Sequence, residues 1–201
     1  MNLTEYMQVK DFTYLEYCNY LQNKYGIGLA DYMTKGYNPN KKCKRTNEGL
    51  VVHHKKEDCA ILLSKKEVAQ HYPFEWQEKE NLVYCDYLEH LLLHVLICKY
   101  TPKDKQNLGI GGVYLIATEL NDLYSGWTTQ QSWRIACHER VIADKEVYLL
   151  ILKQFITVAR HNTFFAMSKL CASFNQQFGL WDDSKNKKLY KEIKKLSKSL
   201  K

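Results

Sequence analysis

The sequence predicts a mostly helical α+β domain, and three observations carry that prediction. Two short runs, Gly49–His54 and Asn81–Tyr84, have the length and β-branched or apolar character of strands. Asp86, with Glu89 three residues on, has the spacing of a helix N-cap, so a helix over Tyr87–Tyr100 begins directly after the second strand. Most of the chain on either side repeats its apolar residues at three and four, the period of a helix buried along one face.

Residues 1–45 are expected to be a helical segment with a basic linker. Thr13 and Glu16 have capping-box spacing, Leu15, Cys18, Leu21 and Tyr25 supply an apolar face, and Gly26 is a C-cap. A second short helix is expected near Leu29–Lys35, ended by Gly36-Tyr-Asn-Pro39-Asn. Lys41, Lys42, Lys44 and Arg45 then form a basic cluster that suits either a solvated loop or a phosphate contact. Residues 46–101 hold the two strands and the capped helix, which stops before Pro102. The connection Lys55–Glu80 is long, with helical character around Ser64–His71.

Residues 102–183 are expected to be helical, over the apolar run Val113–Leu120 and over about Gln130–Ala143, Lys145–Thr157 and Asn162–Phe178. Gly109-Ile-Gly111-Gly112 is no phosphate loop, because the Gly-Lys-Ser/Thr ending is missing. Residues 184–201 form a lysine-rich tail. Its eight lysines against one glutamate equal the whole net charge of +7, so the basic excess belongs to the tail and not to the surface at large. Leu189, Ile193, Leu196 and Leu200 give that tail a helical apolar stripe, suited to the body of the protein or to a partner protein. Its lysines, Lys187, Lys188, Lys191, Lys194 and Lys195 among them, suit a polyanion.

At 45% hydrophobic and 25% charged residues the chain can bury a sizeable core. No run reaches the ~18 apolar residues of a membrane helix, and no apolar signal segment opens the sequence. Seven cysteines, an odd number without any CxxC pair, read as buried thiols in a reducing compartment. The expectation is a cytoplasmic protein with no membrane contact.

The chemistry concentrates in four histidines. His90 and His94 are one turn apart on the helix and can converge on one ion. Alone, such a pair is more often two half-exposed surface residues. His53 and His54 end the first strand, where neighbours point to opposite faces, so each is expected to have its own task.

Taken together, GLVVHH (Gly49–His54), NLVYCDYLEH (Asn81–His90) and LLLH (Leu91–His94) resemble the HNH endonuclease family, whose core is a ββα-metal finger. The pattern is closest to the colicin-type DNases: His-His, an Asn, a His nine residues later and a further His four beyond. The resemblance covers about a quarter of the chain, and the connection Lys55–Glu80 is longer than in many members. It implies a ββα-metal finger embedded in flanking helices, with His54 as general base, Asn81 as the residue orienting it, and His53, His90 and His94 as ligands of one divalent metal ion, Mg, Mn, Ni or Zn. It also implies hydrolysis of DNA to 5′-phosphate and 3′-hydroxyl ends, in a phage, mobile-element or restriction and defence setting. A homodimer would serve cleavage of both strands. Three imidazoles favour Mn, Co, Ni or Zn over Mg. RNA is a second substrate class. The competing class is a catalytically silent scaffold that binds or inhibits a protein partner.

Overall fold

The computed structural model describes residues 1–100, 107–174 and 185–198. Among these the chain runs α1 (Leu3–Val9), α2 (Tyr14–Tyr25), β1 (Val51–His54), α3 (Lys66–Ala69), β2 (Leu82–Cys85), α4 (Tyr87–Tyr100), α5 (Asn107–Tyr124), α6 (Ser132–Glu139), α7 (Lys145–Ala159), α8 (Met167–Cys171) and α9 (Lys185–Lys198), with short 3₁₀ turns between several of them. The architecture is mostly helical with one two-stranded antiparallel sheet, β1 beside β2. Val51 faces Cys85 and His54 faces Leu82 across it.

Helix α4 is the axis of the molecule. Eleven of its fourteen residues are buried, which an amphipathic surface helix would not allow. It packs on α5, α7, α2 and both strands. Its start is held by the expected reciprocal cap: Glu89 N–H donates to Asp86 Oδ1 at 2.8 Å, and Asp86 N–H to Glu89 Oε2 at 2.6 Å. The other oxygen of Glu89 accepts from Lys24 Nζ (2.7 Å) and Tyr25 O–H (3.0 Å), which ties the end of α2 to the start of α4.

The Thr13–Glu16 capping box opens α2, and Gly26, at φ +85°, ends it. The buried face of α2 is Tyr14, Tyr17, Cys18 and Leu21, while Leu15 is exposed. The expected stripe is therefore rotated, because tyrosines as well as leucines fill the space against β2 and α4. No helix forms over Leu29–Lys35. That stretch is irregular, held by a bridge between Met33 and Pro39 and by Tyr32 N–H on the Gln77 carbonyl.

Gly109-Ile-Gly111-Gly112 lies inside α5, not before it. A Cβ at Gly109 would sit 2.4 Å from the His94 carbonyl oxygen, and one at Gly112 would sit 2.3 Å from the His94 ring. These glycines let α5 approach α4 at backbone distance. The expected helix over Asn162–Phe178 is only α8, and residues 175–178 lie outside the described residues.

The tail stripe packs on the body. Leu189 and Ile193 are buried where α9 meets α7 and α8, so this apolar face is not free for a partner. Lys187, Lys188, Lys191, Lys194 and Lys195 are exposed on the other side, while Leu200 lies outside the described residues. No described helix is long and apolar enough to cross a membrane.

His138 in α6 is buried between Tyr87 and Trp127, and its Nε2 has no hydrogen-bond partner. Burial, with Arg134 nearby, pushes its pKa down to about 4. Between pH ~6.5 and 4 the unfolded chain holds a proton there that the native chain does not, so this contribution to stability is lost as pH falls. The expected cost at pH 5 is about 2 kcal/mol. Urea unfolding at pH 7.5 and 5.0 should show a smaller acid loss in His138→Gln than in wild type. An equal loss in both would remove this assignment.

Candidate metal centre

Four side chains converge where β1, the turn after it and α4 meet. One ligand-type atom from each of His53, Glu57, His90 and His94 lies within 4.8 Å of the others. The centroids of the three imidazoles form a near-equilateral triangle, 5.1 Å from His53 to His90, 5.1 Å from His53 to His94 and 5.0 Å from His90 to His94. Metal–nitrogen bonds of about 2.1 Å at tetrahedral angles give ring spacings of this size. The carboxylate closes the group: Glu57 Oε2 is 3.4 Å from His94 Nε2 and 3.6 Å from His53 Nδ1.

The electrostatics suit a cation. Burial pushes His53 down to about 3, His90 well below its ordinary value and His94 below it as well, so all three rings are neutral near pH 7. Burial acts to raise Glu57, but the imidazoles facing it, His53 foremost, which carry a proton at the low pH where a carboxylate titrates, together with a hydrogen bond from His54, outweigh burial and hold it below the usual carboxylate range. The result is three neutral nitrogen donors and one anion, a donor set typical of transition-metal sites. His53 Nδ1 is buried without a hydrogen-bond partner, as a lone pair reserved for an ion would be.

The remaining nitrogen of His53 is held from outside the cluster. Tyr14 Oη lies 2.8 Å from His53 Nε2, and 3.2 and 3.1 Å from the carbonyl oxygens of His54 and Lys55. With the hydroxyl hydrogen on a carbonyl, His53 Nε2–H donates to the tyrosine oxygen and Nδ1 points bare at Glu57. Tyr14→Phe should weaken metal affinity by about 10–100-fold, the usual effect of removing such an orienting partner. Titration of the purified variant with Zn or Ni checks it, and unchanged affinity would reduce Tyr14 to a packing residue.

His54 stands beside the cluster without belonging to it. Its ring packs edge-on against Tyr32, with centroids 4.4 Å apart, and its Nε2 is 3.2 Å from Gln77 Oε1. Gln77 is itself oriented, because its Nε2 donates to the Leu63 carbonyl at 3.1 Å. The oxygen of the amide therefore faces His54, so His54 Nε2 must be the protonated nitrogen. Its Nδ1 lies 3.6 Å from Glu57 Oε1.

Asn81, expected to orient His54, stands outside the cluster, and its amide bonds the backbone and not the imidazole. It ends the 3₁₀ turn before β2, and its Nδ2 donates to the Glu75 carbonyl at 2.7 Å. It braces the turn that presents Gln77, and Gln77 holds the imidazole. The Arg45 guanidinium binds Glu48 at 2.8 and 2.6 Å and the Tyr25 carbonyl at 2.6 Å, over the Tyr84 ring, so it is engaged within the fold. Lys41, Lys42 and Lys44 are exposed, as a solvated loop requires. Neither Cys59 nor Cys85 joins the metal group.

Glu57, Gln77 and Tyr14 are thus functional candidates that the spacing of histidines alone does not point to. Glu57 had one available signal, a carboxylate four residues after His53 and just past the strand end.

The cluster opens into a cavity of about 480 Å³ between the 57–64 segment and α5, lined by His54, Glu57, His90 and His94 on its polar side. Compared with known proteins, the chain matches no family model, no curated protein and no solved structure.

Proposed function

We propose that this protein is a metal-dependent phosphodiesterase of the HNH type, acting on DNA with a single divalent ion. The observation that supports it most is the division of labour at the end of β1. His53 turns one nitrogen into a cluster with His90, His94 and Glu57, while the adjacent His54 lines the same cavity without being drawn into the cluster. The order of elements, two antiparallel strands and then the helix that carries the last two histidines, agrees with a ββα-metal finger.

In this reading His53, His90, His94 and Glu57 hold the ion. When bound, the ion supplies positive charge against a phosphate oxygen and the departing 3′ oxygen. His54 Nδ1 takes a proton from water as the water oxygen bonds to phosphorus. The bond from phosphorus to the 3′ oxygen breaks and that oxygen takes a proton from solvent, leaving a 5′-phosphate and a 3′-hydroxyl. Gln77 holds the other nitrogen of His54, so the proton taken from water goes to Nδ1. Glu57 lies within 3.6 Å of that nitrogen and stabilises the imidazolium that forms.

Purified protein incubated with plasmid, linear duplex and single-stranded DNA, and with RNA, in EDTA or with Mg, Mn, Ni or Zn, tests the proposal. Metal-dependent cleavage with 5′-phosphate ends is expected, with Mn or Ni at least as effective as Mg. No cleavage of any substrate with any metal would turn the reading to a silent scaffold, and the search to a protein partner.

A further inference from the structure

Among the described residues, the lining of the cavity in front of the metal cluster lacks the cations of a surface for duplex DNA: no lysine or arginine lines it. Its polar groups are those of the cluster, His54, Ser64 and Tyr32, and its walls are apolar, with Ile61 and Leu62 on one side and Leu115 and Ile116 of α5 on the other. Three of these side chains stand in water at the rim: Ile61 is 51% exposed, Leu62 49% and Leu115 68%. Leu62 is set there by a φ of +60°, a left-handed backbone that a branched side chain rarely adopts.

A B-form duplex meets a protein through two rows of phosphates and is held mainly by cationic side chains. To bring a phosphate of an intact duplex to ligands recessed in this cavity, that charged surface would have to lie against an apolar rim. An unpaired nucleotide meets no such conflict. Its base has an aromatic face that packs on apolar and aromatic side chains whatever its identity, while its phosphate reaches the ion. The volume of the cavity lies within the ~300–1,000 Å³ of sites that enclose small ligands.

We propose that the metal cavity takes an unpaired nucleotide, so that DNA is cut where it is single-stranded or unstacked, with Ile61, Leu62 and Leu115 seating the base beside the scissile phosphate. This rests on the phosphodiesterase reading above. The test compares kcat/KM for one labelled oligonucleotide, single-stranded and annealed to its complement, with wild type and with the double variant Ile61→Ala/Leu115→Ala. Both replaced side chains are largely exposed, so the fold tolerates the change. Wild type is expected to cut the single strand at least ~10-fold faster. The double variant should lose about that factor on the single strand and much less on the duplex, so the ratio falls toward one. A duplex cut as fast as the single strand, or a ratio unchanged in the variant, overturns the proposal. Metal-dependent cleavage in either case leaves the phosphodiesterase reading standing; no cleavage of either form removes that reading and this inference with it.

Discussion

His54→Ala is expected to lower phosphodiester cleavage by a factor of about 10²–10⁴ while leaving metal affinity near that of wild type. The range is that of a general base whose removal leaves the rest of the site in place. The expectation follows from where the two nitrogens of His54 go. Nε2 is committed to Gln77, and Nδ1 lies beside Glu57, whose side chain lines the cavity. None of the atoms that gather around the candidate metal position belongs to His54. Gln77→Leu makes the argument sharper. It removes the acceptor that fixes the tautomer but keeps the imidazole, so activity should fall by less than in His54→Ala, and Gln77→Glu, which keeps an acceptor, should restore part of it. Side-by-side cleavage rates and Zn or Ni titrations of the variants are the measurements. Wild-type activity in His54→Ala would end its assignment as base; loss of metal binding would move it into the ligand set.

His90→Ala is expected to abolish metal-dependent stabilisation as well as cleavage. An ion that binds only the native state adds about 2.7 kcal/mol at 100 times its Kd. Removing one of three imidazoles from the triangle should cost more affinity than the ~10–100-fold lost with an orienting partner, enough to erase that gain at the same metal concentration. His90 is half-buried at the mouth of the cavity, so truncation leaves the buried sides of α4 intact. The metal-free variant should unfold at nearly the wild-type urea concentration, and should not respond to Ni or Zn. A full metal response in His90→Ala would exclude the proposed centre. Glu57→Gln is the companion: it keeps the shape of the side chain but removes the anion from a cluster of neutral rings, so it should weaken binding without changing the metal-free protein much.

Much of this site is legible in the sequence because its central signals are local. His90 and His94 lie on one face of α4 because a helix repeats every 3.6 residues, and α4 starts where Asp86 and Glu89 cap it. The box at Thr13 and Glu16 places the start of α2 in the same way. The residues that complete the site are carried by a different kind of contact. His54 meets Gln77 across 23 positions, and Tyr14 meets His53 across 39. Between β1 and β2 the chain is a series of 3₁₀ turns and one short helix, with no apolar period to betray which side chains face inward. Asn81 illustrates the limit. Its spacing from His90 and His94 matched the resemblance, yet its amide reaches the Glu75 carbonyl, and the imidazole is held by Gln77 instead.

By itself the sequence determined the helical α+β class, the strand pair, the capped helix with its two histidines and the concentration of charge in the tail. These depend on hydrogen bonds and side-chain periods within a few residues of one another. Only the tertiary structure decided that Glu57 joins the histidines, that Gln77 and not Asn81 holds His54, and that Arg45 is tied to Glu48. It also decided that the stripe of α9 is covered by α7 and α8, and that Gly109 and Gly112 lie within a helix pressed against α4. Each is a contact between segments far apart in the chain, set by how those segments share one buried volume, and buried volume has no signature in the spacing of residues along a single stretch.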